Sequence, residues 1–339
     1  MNLPIPVLDH SVRLDADAVR ILDRRRFPHE ISWVTARTDV EVARAIKDMV
    51  TQSSGPWFAA LAGMTLTARQ HAASSPAEAL AALRTAAERL TAARPTNNNV
   101  RDAVAGVLSE IDTDTGEMAD QVERAAQRLD AEYRSRSHAL GVGTAALLPD
   151  NALVLTHCWM DTYLIELVRA AHAAGKHFRY LATETRPYLQ GARLTAHTLA
   201  EMGQQVTLIT DGMVAAVLSP HSALPRVDAL VTAADRVSLD GHVFNKVGTL
   251  GAAIAARAFA VPYYALVQAP DPQAPTVADV VVEQRDGAEN LTTLGARTAS
   301  PLVGSGYYPA FDVTPPEFVT KIVTDRGVFD PGSLAEYGR

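Results

Sequence analysis

Chemistry-bearing residues in the second half of the chain occupy one kind of position, directly after short apolar runs. The run 152–156 leads into Thr156-His157-Cys158, and 178–182 into Glu184-Thr185-Arg186-Pro187. Residues 205–209 are followed by Asp211, 227–231 by Asp235-Arg236, and Asn245-Lys246 stands just ahead of Gly248-Thr249. A thiol, a carboxylate and an ammonium group together can move protons and hold an anion. Singly, each has an ordinary structural explanation. A lone cysteine after a strand is more often a small buried apolar residue, although at the head of a helix its thiolate gains from the N-terminal dipole. Asp235 could equally cap a helix or pair with Arg236. Asn245-Lys246 could be turn residues, but a helix N-terminus beside a lysine also suits phosphate. Gln190-Gly191-Ala192, ahead of a helix, offers an amide and free backbone N–H groups to an anion. Glu184 and Arg186 read as an ion pair that stiffens their loop rather than as catalysts.

The elements that must position these groups follow from the spacing. Apolar runs at 152–156, 178–182, 205–209, 227–231 and 261–267 are short, and helical segments at 161–174, 192–203, 212–218 and 248–259 lie between them. That alternation predicts buried parallel strands in βαβ units. Gly175 and Gly203 stand where helix C-cap glycines belong, and a last helix is expected over 315–324, opened by prolines. In such a sheet the carboxyl ends of the strands form the ligand crevice, so four consecutive strand ends bring their polar groups to one place. Residues 141–339 therefore read as a doubly wound, Rossmann-like α/β catalytic domain. Residues 1–140 have another texture, rich in Ala, Arg and Glu. They predict a smaller, mainly helical domain with helices over 40–49, 76–93, 100–110 and 116–133. A small antiparallel sheet is expected there too, as a hairpin of 7–14 with 31–36.

Composition narrows the class of protein. A chain of 339 residues, 47% hydrophobic and 20% charged, is an ordinary globular composition for about two domains. A net charge of −7 and the lack of a Lys/Arg stripe exclude a nucleic-acid groove. The densest basic run, Arg24-Arg25-Arg26, reads as a solvated turn. One cysteine cannot form an internal disulfide and fits a reducing, cytoplasmic setting. No signal-peptide pattern and no apolar run of roughly 18 residues suggests a secreted or membrane protein. Gly141-Val142-Gly143 precedes a strand instead of following one, so it is no dinucleotide fingerprint. No Walker A, HExxH or CxxC pattern occurs, and His157 and Cys158, adjacent on a strand end, point apart, so neither cofactor nor metal is expected.

Beyond these readings, Thr156-His157-Cys158, the block Glu184 to Thr195, Val206 to Asp211, Ala234-Asp235-Arg236 and Asn245-Lys246-Val247-Gly248-Thr249 occur in an order that resembles the methylthioribose-1-phosphate isomerase family. The resemblance continues at Phe27-Pro28-His29-Glu30, Arg94-Pro95-Thr96 and Pro309 to Pro315, and covers nearly the whole chain. That family shares a superfamily with ribose-1,5-bisphosphate isomerase and the regulatory subunits of translation initiation factor 2B. The resemblance implies a cofactor-free aldose–ketose isomerase, a homodimer, acting on a small sugar phosphate whose C1 carries the phosphate. It implies Cys158 and Asp235 as the catalytic pair, with Arg94, Gln190, Asn245 and Lys246 around the substrate. The implied chemistry has Asp235 handling ring-oxygen and hydroxyl protons while Cys158 exchanges the carbon-bound proton; a hydride shift between the carbons, with Cys158 shaping the site, is the other course.

Two segments depart from the family pattern. Where the family has Arg-Gly-Ala-Pro, whose arginine and amides hold the phosphate, this chain reads Thr51-Gln52-Ser53-Ser54-Gly55-Pro56-Trp57. A charge-assisted contact is missing there, leaving Ser54 and Gly55, with Ser53, as neutral donors. After Cys158 the family has small residues, whereas this chain has Trp159-Met160-Asp161-Thr162-Tyr163. The leading expectation is isomerisation of a 5-substituted 5-deoxyribose 1-phosphate. Its rivals are a ribose-1,5-bisphosphate isomerase and a non-catalytic sensor of sugar phosphates or nucleotides.

Overall fold

The computed structural model describes residues 3–94, 98–113 and 117–338. The chain divides into two compact units, Val7–Ser135 and, with the short N-terminal segment, Arg136–Arg339. The expected boundary at 140 falls within a helix, Met118–Leu147.

In the first unit a three-stranded antiparallel sheet, β1 (Val12–Leu14), β2 (Val19–Leu22) and β3 (Trp33–Ala36), packs with helices α1 (Asp39–Lys47), α2 (Gly55–Gln70), α3 (Pro76–Ala93) and α4 (Asn98–Ser109). α5 (Met118–Leu147) follows. Val42, Ile46, Met64, Leu66, Leu83, Leu90, Val100 and Val104 belong to one buried cluster. α3 starts where local chemistry dictates: Ser75 and Glu78 form a reciprocal capping box, with proline in the first turn. The hairpin expected of 7–14 with 31–36 is different in detail. Residues Val7–His10 form a 3-10 turn, and β2 lies between the two predicted strands, pairing with both. α2 was not expected at all. It is buried on every side, Ala59, Leu61, Met64 and Leu66 included, so it shows no amphipathic period to read. The helix expected over 116–133 starts on a residue outside those described and continues to Leu147, taking in Gly141-Val142-Gly143. Gly141 serves close packing: a Cβ there would fall 2.5 Å from the Glu166 carbonyl oxygen.

The second unit is built on a seven-stranded sheet. Its strands are β4 (Leu153–Thr156), β5 (Arg179–Thr183), β6 (Gln205–Ile209), β7 (Ala229–Ala233), β10 (Tyr263–Leu266), β12 (Lys321–Thr324) and β13 (Gly327–Phe329). They lie in the order β13-β12-β10-β7-β4-β5-β6, all parallel except β13. Helices α6 (Thr162–Ala173), α7 (Ala196–Glu201, preceded by a π turn at Gly191–Thr195), α8 (Val214–Leu218) and α9 (Thr249–Ala258) connect the strands. Gly175 and Gly203, with φ of 70° and 73°, end their helices as expected. Beside the main sheet, β8 (Arg236–Val237), β9 (Val243–Lys246) and β11 (Phe311–Thr314) form a small antiparallel one.

The helix expected over 315–324 is absent. Pro315-Pro316 opens only a 3-10 turn, Pro316–Phe318, and Lys321-Ile322-Val323-Thr324 then forms β12 beside β10. Ile322 and Val323 are fully buried in the sheet, where their β-branched side chains pack well. No helix among the described residues is long and apolar enough to cross a membrane.

Candidate active site

The strand order makes β4 the turning point of the sheet: β5 and β6 follow on one side, β7, β10 and β12 on the other. In open α/β sheets a ligand crevice forms outside the carboxyl ends of the strands at such a point. His157 and Cys158 leave β4 there, and Ala234 and Asp235 leave its neighbour β7. Asp235 is exposed, with its backbone N–H bonded to the Phe244 carbonyl at 2.9 Å.

Cys158 is held in the left-handed region, φ 69°, a conformation uncommon outside glycine. Its backbone is gripped from both ends: its N–H donates to Thr185 Oγ1 at 3.0 Å, and Thr195 Oγ1 donates to its carbonyl. Burial pushes the thiol up to about 12; Lys246 pulls against that shift, while Asp235 and Asp211 add to it. The expected helix-dipole support for a thiolate is not realised. α6 begins only at Thr162, and Asp161, itself at φ 51°, breaks the approach. Trp159 and Met160, the bulky residues of that departure, are buried.

The neighbouring His157 is a positioning group. It is buried, with Nε2 2.9 Å from the Val247 carbonyl and Nδ1 2.7 Å from Thr183 Oγ1. A carbonyl only accepts, so Nε2 carries the hydrogen and Nδ1 accepts from the threonine hydroxyl. Burial lowers the ring's pKa, against the pull of Asp211 and the Val247 bond, which keeps it neutral. Gly248, at φ 108°, is needed beside it: a Cβ would lie 2.8 Å from the imidazole.

Lys246 and Asn245 lie at the end of β9. Lys246 is buried, its ammonium 5.0 Å from the Phe311 ring centre and 5.6 Å from that of Tyr308, with the Tyr308 hydroxyl at 3.4 Å. Its charge acts on the Cys158 thiol and on the Asp312 carboxyl. Asn245 donates to Thr249 Oγ1 at 3.0 Å. Asp312, which pairs across to Asn245, accepts from the N–H groups of Gly248 (2.7 Å) and Leu250 (3.1 Å) at the head of α9. Burial raises its carboxyl to about 6 despite those bonds and Lys246. Asp312 went unremarked in the sequence although it lies in the Pro309-to-Pro315 block; Thr185 carried no signal beyond the Glu184-to-Thr195 block, and Thr183, just ahead of it, carried none.

The loop after β5 is organised by Asp211, whose carboxylate accepts from the N–H groups of Thr185 (2.8 Å) and Arg186 (2.7 Å). Burial raises the Glu184 pKa, and the nearby Asp211 adds to it. The expected Glu184–Arg186 pair gives way to a different arrangement: Arg186 donates to the carbonyls of Pro187, Thr292 and Asn290. Gln190 is buried at the start of the π turn, and Gly191 follows it because a Cβ there would fall 1.7 Å from the Thr183 carbonyl oxygen.

Three expected substrate residues belong to the helical unit. Ser54 and Gly55 are buried at the head of α2, and Arg94 ends α3; Pro95 and Thr96 lie outside the described residues. The run Arg24-Arg25-Arg26 is only partly a solvated turn. Arg25 pairs with Asp23 and Arg26 with Glu30, but Arg24 is 1% exposed, because its guanidinium turns inward to the Gln52 carbonyl and the Ser11 hydroxyl. Among the described residues no cluster of three or more His, Cys, Asp or Glu side chains is placed to hold a metal.

Residues 52–331 match the Initiation factor 2 subunit family. The methylthioribose-1-phosphate isomerase of Chloroflexus aurantiacus is 36% identical over 342 residues, covering 96% of this chain and 96% of the relative. Among solved structures, 5-methylthioribose 1-phosphate isomerase from Pyrococcus horikoshii OT3 superposes with a TM-score of 0.84 at 30% identity, over 98% of each chain. Translation initiation factor eIF-2B, subunit delta, from A. fulgidus gives 0.81 at 32% identity, over 97% of this chain and 96% of that one.

Proposed function

The chain belongs to the methylthioribose-1-phosphate isomerase family, within the Initiation factor 2 subunit family, and on that premise we propose that it is an aldose–ketose isomerase. Its substrate in this reading is a 5-substituted 5-deoxyribose 1-phosphate, with 5-methylthioribose 1-phosphate as the prototype. The observation that carries it is the exit of a thiol and a carboxylate from adjacent strands, β4 and β7, at the turning point of the sheet, with the Lys246 charge acting on the thiol. A sensor of sugar phosphates has no need of that pair. A ribose 1,5-bisphosphate isomerase would need a second phosphate site in a chain of net charge −7.

The chemistry assigns roles by proton balance. The substrate's C1 bears phosphate in place of a hydroxyl, so the ring cannot open freely. Asp235 as the acid protonates the ring oxygen while the bond from C1 to that oxygen breaks, leaving an oxocarbenium at C1. Cys158 as thiolate takes the C2 proton, giving an enol phosphate, and returns it to C1. The Asp235 carboxylate then removes the C2 hydroxyl proton as the ketone forms, so both side chains regain their starting states. Lys246 and Asn245 serve as anion and hydroxyl contacts, and Gln190 as a further substrate contact. The substrate contacts assigned to Arg94, Ser54 and Gly55 rest on the resemblance.

The raised thiol favours one variant. A cysteine that holds its proton up to about 12 is a poor base at neutral pH. A 1,2-hydride shift from C2 to the C1 cation reaches the same ketone without it. Incubation with a panel of ribose 1-phosphates, followed by NMR, tests the whole reading. Ketose is expected from wild type and at least about a hundredfold less from Asp235→Asn; Cys158→Ala loses as much where the thiol carries the proton and less under a hydride shift, and equal turnover by Cys158→Ala would remove the thiol from the reaction. In deuterated buffer, proton transfer leaves solvent deuterium at C1, and its absence assigns the hydride shift.

A further inference from the structure

One peptide unit, Val247–Gly248, is held at both ends by side chains from other strands. Its carbonyl accepts from His157 Nε2 at 2.9 Å, and its N–H donates to the Asp312 carboxylate at 2.7 Å. Asp312 also accepts from the Leu250 N–H at 3.1 Å, so it caps α9 from β11. Gly248 occupies the helix's own cap position and has no side chain to offer. A larger residue is barred there, because a Cβ would lie 2.8 Å from the His157 ring. His157 thus removes the local cap, and a carboxylate 64 residues further on replaces it.

The bonds form a continuous chain from the Thr183 hydroxyl to His157, across the peptide and into Asp312. Every donor in that chain points toward Asp312, so a negative charge at that end polarises each link. Cys158 follows His157 at the end of β4, and Asn245-Lys246 directly precede the held peptide at the end of β9. The titratable groups facing Asp312 are Lys246 from β9, which favours the carboxylate, and the buried Tyr263 phenol from β10. The first turn of α9 brings it backbone N–H groups, and neutral His157 faces it through the peptide. Burial raises the carboxyl from 3.8 to about 6, so its contribution to stability is complete below 3.8 and is lost as pH rises through 6. At neutral pH the fold bears an ionised Asp312 at a cost that an asparagine would avoid, which argues that the charge has a use.

We propose that Asp312 is a positioning residue of the isomerase site: through the Val247–Gly248 peptide its carboxylate fixes His157, and with it the strand end bearing Cys158, against the segment that carries Asn245 and Lys246. The effect on turnover rests on the isomerase reading; the coupling of Asp312 to His157 does not.

Asp312→Asn keeps the shape and one accepting oxygen but never ionises. With the ribose 1-phosphate, wild-type kcat is expected to exceed that of the variant about tenfold or more at pH 8, and the two should converge at pH 5, where wild type is itself protonated. A cap that only stabilised the helix would give a ratio independent of pH. Proton NMR of the His157 Nε2–H, assigned by its loss in His157→Gln, reads the coupling without turnover. That signal should move upfield as pH falls through about 6 in wild type and hold still in Asp312→Asn. A wild-type signal with no step near 6 would overturn the proposal, even if the variant does not fold. A signal that follows Asp312 in a protein converting no ribose 1-phosphate keeps the coupling and sinks the isomerase reading. Turnover with the same ratio at every pH keeps the isomerase and sinks the role assigned to Asp312.

Discussion

Cys158 is the residue on which the proposed chemistry turns, and its surroundings make a measurable demand. In the folded chain the thiol holds its proton to about 12, against an ordinary value of 9.0. A step that needs the thiolate therefore gains with pH: log kcat is expected to rise with unit slope from pH 7 to 9 without a plateau. A hydride shift past a neutral thiol gives a flat profile over the same range. The same shift affects stability. Between about 9 and 12 the folded chain binds the proton that the unfolded chain has released, so the contribution of the raised pKa is complete below 9 and declines as pH rises toward 12. Urea unfolding at pH 8, 9 and 10 should show wild type losing ground to Cys158→Ala as pH increases; a constant difference would mean the thiol is not so enclosed.

Among the elements, the π turn Gly191–Thr195 shows how backbone packing serves the site. It presses against the end of β5, and Thr195 from it holds the Cys158 carbonyl. Gly191→Ala would drive a methyl into the Thr183 carbonyl oxygen, 1.7 Å from an ideal Cβ, and only a backbone shift relieves that. A loss of about 1–3 kcal/mol in denaturant unfolding is expected, with a fall in kcat as Cys158 moves; unaltered stability would show that the turn is not so tightly seated. The elements that sequence reveals are those whose pattern is local. α3 carries its start signal in Ser75, Pro76 and Glu78, and α2, buried all round, carries no stripe. Residues 321–324 are strand because β10 offers an edge to pair with, which the double proline before them conceals.

At the scale of the whole molecule, we propose a homodimer, which rests on the resemblance alone. Light scattering after gel filtration is expected to give about twice the chain mass of 36.3 kDa, and a monomer at working concentrations would remove that expectation. Sequence alone determined the alternation of strand and helix after residue 150 and, through it, that Cys158, Asp211 and Asp235 stand at strand ends and Lys246 ahead of a helix. Those are properties of short-range order, because apolar runs, glycine caps and polar breaks act within a few residues. Tertiary structure decided the rest. It made β4 and β7 neighbours although 75 residues separate Leu153 N–H from the Asp228 carboxylate it bonds. It also turned Arg24 from a surface residue into a buried one and raised the Cys158 thiol instead of lowering it. Strand order, burial and the field at a thiol depend on atoms distant in the chain, and no local pattern encodes them.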